Sequence, residues 1–307
     1  MRPAILAGIP FTLAQAADQG MSTHALRQLL RRQEIRRVIQ GVYVDNSTPD
    51  DLITRAAAAA LILPPGAALT RRTAAWVFGV DTLAMGSHLV HPPIDLLAPE
   101  GSAAARRSGC AGWSAKLSEG DLVEIRGLVV TSPLRTTVDL LRWLERPDAL
   151  AAADAILHAG LLTKDELLDG LGRFAGYRGI AQARELAELT EPATESPMES
   201  RTRLRAIDAG FPRPEVQISV YDGQGLLLGR LDMGYVEWCK GIEFDGEEHH
   251  SGEQARSHDE QRRSGFEANG WDILVVTSEH VLGRSHVFEY AVGELLGIAP
   301  RIRRRPW

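Results

Sequence analysis

The sequence predicts a multidomain α+β protein, and three observations support that class. The chain has 307 residues, which at roughly 100–200 residues per domain makes about two domains or more, with separate cores. Helical and strand-like periodicities come in blocks: two short helices and a hairpin first, a mainly helical middle region, then alternating strand runs after residue 195. Hydrophobic residues at 44% and charged residues at 24% are ordinary for a globular chain and exclude collagen-like, coiled-coil and disordered classes for its bulk.

Composition narrows the function classes further. The apolar stretch Ala56–Leu63 stops at Pro64 and Pro65, short of the roughly 20 residues that a membrane span requires. The N-terminus shows no well-formed apolar core followed by a small-residue cleavage site, so a cytoplasmic protein is expected. Cys110 and Cys239 are too far apart in sequence to suggest a disulfide framework or a metal knuckle. A net charge of −6 argues against coating nucleic acid through bulk charge. Its distribution is uneven, however, because residues 1–48 hold six arginines against three acids.

In that first segment, Thr12–Gln19 and Ser22–Arg32 read as helices separated by Gly20, and Ile35–Val44 reads as a hairpin containing Gly41. Thr12 and Ser22 suit N-cap positions, while Ala16, Leu26, Leu29 and Leu30 recur at helical spacing. The order resembles a winged helix-turn-helix, in which the second helix enters the major groove and the hairpin touches phosphate. Arg27, Arg31, Arg36 and Arg37 then become phosphate or base contacts; the plainer alternative is a solvated arginine face on a packing module. The stretch FTLAQAADQGMSTHALRQLLRRQEIRRVIQGVYV is similar to the N-terminal winged helix of AbiEi-type antitoxins and related actinobacterial regulators.

Residues 49–190 read as helices over Asp50–Leu63, Leu69–Gly79, Asp139–Glu145, Ala149–His158, Lys164–Gly172 and Ile180–Leu189, with one strand pair in Leu122–Thr131. No catalytic spacing emerges, and His88, His91 and His158 have no ligand-like neighbours in sequence. LTRRTAAWVFG and TSPLRTTVDLLRWL resemble the middle of the same antitoxin-like proteins, which implies a scaffold or binding region. Thr190–Pro197, with two prolines among polar residues, reads as a linker. The expected segments are 1–48, 49–190 and 195–307.

The last segment reads as α-β-β-β-α-β. Pro197–Gly210 is a helix opened by Ser196, Val216–Tyr221 and Leu226–Val236 are strands joined at Asp222-Gly223-Gln224-Gly225, and Gly241–Gly246 is a third strand. Gly252–Asn269 follows as a helix and Trp271–Thr277 as a buried strand. Alternation along the third strand sends Ile242 and Phe244 to one face and Glu243 and Asp245 to the other. Asp232, on the preceding strand, can lie beside them if the hairpin pairs in register. Converging carboxylates are stable as anions mainly beside a divalent cation, and hard oxygen donors favour Mg²⁺ or Mn²⁺.

Order and spacing here resemble the PD-(D/E)XK nuclease core, in particular the small Vsr-like endonuclease domains, through ESPMESRTRLR, GRLDMGY, GIEFDGEEHH and GWDILVVT. The resemblance implies that Asp232 and Glu243 are the metal-binding acids; Asp245, a further candidate ligand and catalytic acid through its convergence with them, departs from the family pattern because it stands where many members have lysine. The resemblance further implies that Glu199 is the first-helix acid and that His249 or His250 is the histidine after the third strand, with His249 a candidate general base. Lys240 lies too early to replace the missing lysine. Arg256, Arg262 and Arg263 on the following helix could face phosphate or brace the carboxylates. The implied activity is a metal-dependent DNA endonuclease or nickase with DNA as partner, and cutting both strands from one acidic site per chain would suggest a homodimer. The alternative is a non-catalytic DNA-binding regulator or antitoxin carrying a degenerate nuclease fold, and a toxin-neutralising protein would instead pair with a cognate toxin.

Overall fold

The computed structural model describes residues 8–82, 92–102, 108–246 and 262–302. It is a mixed α+β protein, with three sheets among the described residues, and the chain divides into two compact units, Met1–Leu140 and Leu141–Trp307. None of its described helices is long and apolar enough to cross a membrane.

The first unit begins with β1 (Phe11–Thr12), α1 (Leu13–Asp18), α2 (Thr23–Arg31), β2 (Ile35–Ile39) and β3 (Val42–Asp45). The strands form a sheet in the order β1-β3-β2, so a strand that periodicity does not reveal completes the hairpin. Helices this short are marginal alone, and both are fixed at their starts. Thr12 and Gln15 form a reciprocal capping box, and the Ser22 hydroxyl accepts from the Ala25 amide at 3.1 Å. Phe11, Ala16, Leu26 and Ile35 make the small core beneath them.

Within the middle region, 49–190, helices predominate among the described residues, but its first part carries a sheet that the helical reading did not include beyond one strand pair. Between α3 (Leu52–Ala60) and α5 (Pro133–Trp143) lie β4 (Ala68–Leu69), α4 (Arg71–Val77), β5 (Ile94–Pro99), β6 (Cys110–Ala115), β7 (Leu122–Ile125) and β8 (Leu128–Thr131). The strands form a five-stranded sheet in the order β6-β5-β4-β8-β7, of which only the β7–β8 hairpin was legible. β5 is an inner strand with a nearly continuous apolar run, Ile94, Leu96, Leu97 and Ala98 all buried, so it carries no alternating signal. Alanines of α3 let that helix close onto Leu69, Ile94, Leu96 and Val130. The start of α5 is tied to the sheet by Arg135, which is buried between Asp139 at 2.7 Å and Asp121 at 2.9 Å.

The second unit holds α6 (Arg146–His158), α7 (Lys164–Gly170), α8 (Ile180–Leu189), α9 (Pro197–Asp208), β9 (Glu215–Tyr221), β10 (Leu227–Tyr235) and β11 (Lys240–Phe244). α10 (residues 262–268), β12 (Asp272–Val276), α11 (Ser278–Leu282) and α12 (Val287–Leu296) complete it. The sheet runs β12-β11-β10-β9, with β11 and β12 parallel and the other pairs antiparallel. The α-β-β-β-α-β order is thus present, followed by two further helices.

α6 belongs with this unit because charged residues of α9 face it. Arg203, fully buried, donates to Asp154 at 2.6 Å; Ser200 donates to the same carboxylate at 2.7 Å; Arg146 holds Asp208 at 2.8 and 2.9 Å; and Arg201 pairs with Asp148. The Thr190–Pro197 segment is packed into this arrangement: Thr190 and Thr194 are buried and the Glu191 amide donates to Asp154 at 2.7 Å. On the far side, Arg205 grips Glu289 with two nitrogens and donates to carbonyls at the end of α11.

Candidate acidic site and nucleic-acid interface

The acidic site forms where the backbone ladder between β10 and β11 ends. Met233 pairs with Ile242, Gly234 with Gly241 and Tyr235 with Lys240, a register that carries Asp232 toward Glu243. Close approach there requires glycine: a Cβ on Gly234 would collide with the Lys240 carbonyl oxygen. Beyond Met233 the side chain of Asp232 takes over from the backbone, its Oδ2 accepting the Phe244 amide at 2.8 Å.

Glu243 is only 4% exposed. Arg262 Nη1 lies 3.0 Å from its Oε1, and Arg263 Nε lies 3.4 Å from its Oε2. Arg262 Nη2 also donates to Oε2 at 3.4 Å, so both arginines hydrogen-bond that oxygen, while buried Oε1 has the Arg262 ion pair and accepts no hydrogen bond. Asp245 shares the arginine side, with Arg263 Nη2 at 3.5 Å. From α9, buried Glu199 accepts from the Glu195 amide at 3.1 Å and from Gln217 Nε2 at 2.8 Å. Arg230 donates to Glu195 at 2.6 Å.

Burial raises the proton affinity of Asp232, Glu243 and Glu199 above the usual carboxylate range, and this outweighs the opposing pull of Arg262 on the first two. The acids also act on one another: Asp232 raises both Glu199 and Glu243. Sequence reasoning missed Gln217, Glu195 and Arg230. Gln217 sits in a strand with a left-handed backbone, φ 53, which no propensity announces.

The donor set suits a cation in part. Mg²⁺ commonly takes one or two carboxylates and keeps several waters, so Asp232 and the under-bonded Glu243 are a fitting pair. No group of three or more His, Cys, Asp or Glu side chains among the described residues is arranged to hold a metal. His249, His250 and Arg256 lie outside the described residues, as do His88 and His91. Arg262 and Arg263 brace carboxylates, and Arg262 also donates to the Arg230 carbonyl at 3.1 Å.

At the N-terminus, α2 turns Leu26 inward and exposes Thr23, His24, Arg27, Gln28 and Arg31 along its other side. His24 and Gln28 contact at 2.9 Å. Arg37 is exposed on β2. Arg36 is engaged within the protein: Nη2 donates to the Thr48 and Pro49 carbonyls at 3.1 Å each, and Nη1 lies 3.4 Å from Asp50. It therefore anchors the end of the hairpin.

Residues 66–189 match the AbiEi antitoxin C-terminal domain. Over 246 residues the chain is 30% identical to two proteins of Mycobacterium tuberculosis, the uncharacterized protein MT2308 of strain CDC 1551 / Oshkosh and the uncharacterized protein Rv2248 of strain ATCC 25618 / H37Rv. Each alignment covers 80% of this chain and 86% of the relative. The chain belongs to the family of these mycobacterial proteins. Its antitoxin-type domain takes in the five-stranded sheet and runs through α8, ending before Glu199, so the acidic site lies outside the matched range.

Proposed function

We propose that this protein is an antitoxin-type, DNA-binding regulator that reads duplex DNA through α2. The observation that carries the reading is the outward side of α2, where Thr23, His24, Arg27, Gln28 and Arg31 are all exposed on a helix capped at Ser22 and seated on a three-stranded hairpin sheet. Such a helix fits the major groove, where arginine can bond guanine O6 and N7 and glutamine can bond adenine N6 and N7. Arg37, on β2, would meet phosphate. The match to an antitoxin domain in the same chain supports a regulator, and a cognate toxin is its implied protein partner. A gel shift with DNA from upstream of the gene tests the reading: Arg27→Ala with Arg31→Ala should abolish the shift, while Asp232→Ala with Glu243→Ala should preserve it.

A second reading rests on one specific observation, the buried and under-bonded Oε1 of Glu243 beside Asp232. In it, Asp232 and Glu243 hold Mg²⁺ or Mn²⁺ and the chain hydrolyses phosphodiesters. The bound ion would acidify a water and polarise the phosphodiester. The chain's own part would be to bury the two acids, to keep Asp232 oriented through the Phe244 amide, and to move Arg262 and Arg263 from Glu243 toward phosphate. Metal-dependent nicking of supercoiled plasmid, lost in Asp232→Ala and Glu243→Ala, would establish this reading; no nicking by the parent would remove it.

A further inference from the structure

The end of β10 carries a cavity that neither reading uses. Its volume is about 210 Å³, below the roughly 300–1,000 Å³ that takes a drug-sized ligand, so it suits a single headgroup or side chain. Buried Gly234 and Tyr235 form its floor, and exposed Glu215, Val236, Glu237 and Trp238 stand around it. The Trp238 ring, 44% exposed, stacks on Tyr235 with centroids 5.4 Å apart and planes inclined by 24°.

The aromatic wall is fixed in place. The Tyr235 hydroxyl donates to the Pro212 carbonyl at 3.1 Å, which ties the end of β10 to the segment before β9. Val236–Trp238 is a single 3₁₀ turn closed by Cys239 in left-handed backbone, φ 50. The Cys239 amide donates to the Val236 carbonyl at 3.1 Å, and the Cys239 carbonyl accepts the Asp272 amide at 2.9 Å. The turn that presents Trp238 is therefore clamped to the start of β12.

Charge at the cavity is one-sided. Arg213, which also lines it, donates to the Glu188, Leu189 and Thr190 carbonyls at 3.0, 3.4 and 3.1 Å and lies 3.4 Å from Glu191. Lys240, just beyond the turn, pairs with Asp272. Glu215 and Glu237 form no ion pair with the described residues. An anion here would be repelled by both carboxylates, and an uncharged apolar guest would strip them of water without return. A cation satisfies the ring faces through their quadrupole and the carboxylates through charge. Among cations, guanidinium is planar, is more weakly hydrated than an ammonium, lies flat on an indole and offers a fork of N–H donors to carboxylate oxygens. We infer that this cavity binds a guanidinium group, its plane against Trp238 and its N–H groups on Glu215 and Glu237.

Isothermal titration calorimetry on the full chain tests the inference. Agmatine supplies a free guanidinium, N-acetylarginine amide supplies the group as a protein would present it, and N-acetylcitrulline amide is the neutral isostere. We expect saturable binding of at least one guanidinium probe below about 10 mM, and none of the citrulline probe over the same range. Binding of the capped arginine alone would assign the guest to a protein side chain; binding of agmatine as well would assign recognition to the headgroup. Trp238→Leu should weaken binding about 2- to 30-fold, the equivalent of one cation–π contact. Glu215→Gln with Glu237→Gln should weaken it about 10-fold or more and remove most of its salt dependence. The inference is overturned if neither guanidinium probe binds or if the citrulline probe binds as tightly. It is equally overturned if either variant, with unchanged circular dichroism, binds as the parent does.

Discussion

Asp232 Oδ2 accepts the Phe244 amide at 2.8 Å at the point where the β10–β11 ladder stops. One carboxylate thus closes a strand pair and stands next to Glu243, and its two roles can be separated. Asp232→Ala removes the acceptor for a part-buried amide and should destabilise the protein by about 1–3 kcal/mol. Asp232→Asn keeps an oxygen for the amide and removes a charge that burial disfavours, so its stability at neutral pH should equal or exceed that of the parent. Urea denaturation of both variants checks the difference.

If Asp232 and Glu243 share a divalent ion, ligand binding to the native state raises the melting temperature by mass action. Millimolar Mg²⁺ or Mn²⁺ should then raise the Tm of the parent and leave Asp232→Ala with Glu243→Ala unmoved. An equal rise in both proteins would assign the effect to ions elsewhere.

Asp95 gives a pH dependence in the first unit. Its carboxylate, which accepts from the Arg72 and Thr73 amides at the start of α4, is pushed up from 3.8 to about 6 by burial, against the pull of Arg71. Between those values the native state binds more protons than the unfolded chain, so stability falls as pH rises from about 4 to about 6 and stays lower above. The shift corresponds to at most about 3 kcal/mol. Asp95→Asn should flatten this slope and raise stability at pH 7 to 8, read by denaturation at several pH values.

The Arg203–Asp154 pair joins α9 to α6 with both side chains essentially out of water. Removing one partner strands a buried charge, so Arg203→Ala should cost about 3–5 kcal/mol. Because Asp154 also holds Ser200 and the Glu191 amide, Asp154→Ala should cost a similar amount, and the double variant less than the sum. A double-mutant cycle by chemical denaturation measures the coupling.

Legibility of the fold followed the locality of the physics. Capped helix starts at Thr12, Ser22 and Ser196 were readable because cap and amide lie within a few residues, and the Asp222 turn was readable for the same reason: its Oδ1 accepts from Gln224 and Leu226 at 2.8 Å each. β4, β5 and β6 were hidden because their pairings are long-range and β5 lacks alternation. The charged sequence of α9 gives no sign of burial, yet Arg203 and Arg205 are among the most buried side chains, neutralised by partners from residues 154 and 289. At the acidic site the carboxylates themselves were legible in the alternation around Phe244. Their setting was not, since Glu199 is held by Gln217 and Glu195, residues that carry no motif.

The most direct measurement of the central claim is the affinity of the purified full chain for duplex DNA from its own promoter region, followed by anisotropy across a salt series in the parent and in Arg27→Ala with Arg31→Ala. The account predicts sequence-specific binding that the double variant loses, with a smaller salt slope. Unchanged specific binding by the double variant, with its helical content intact, would contradict it.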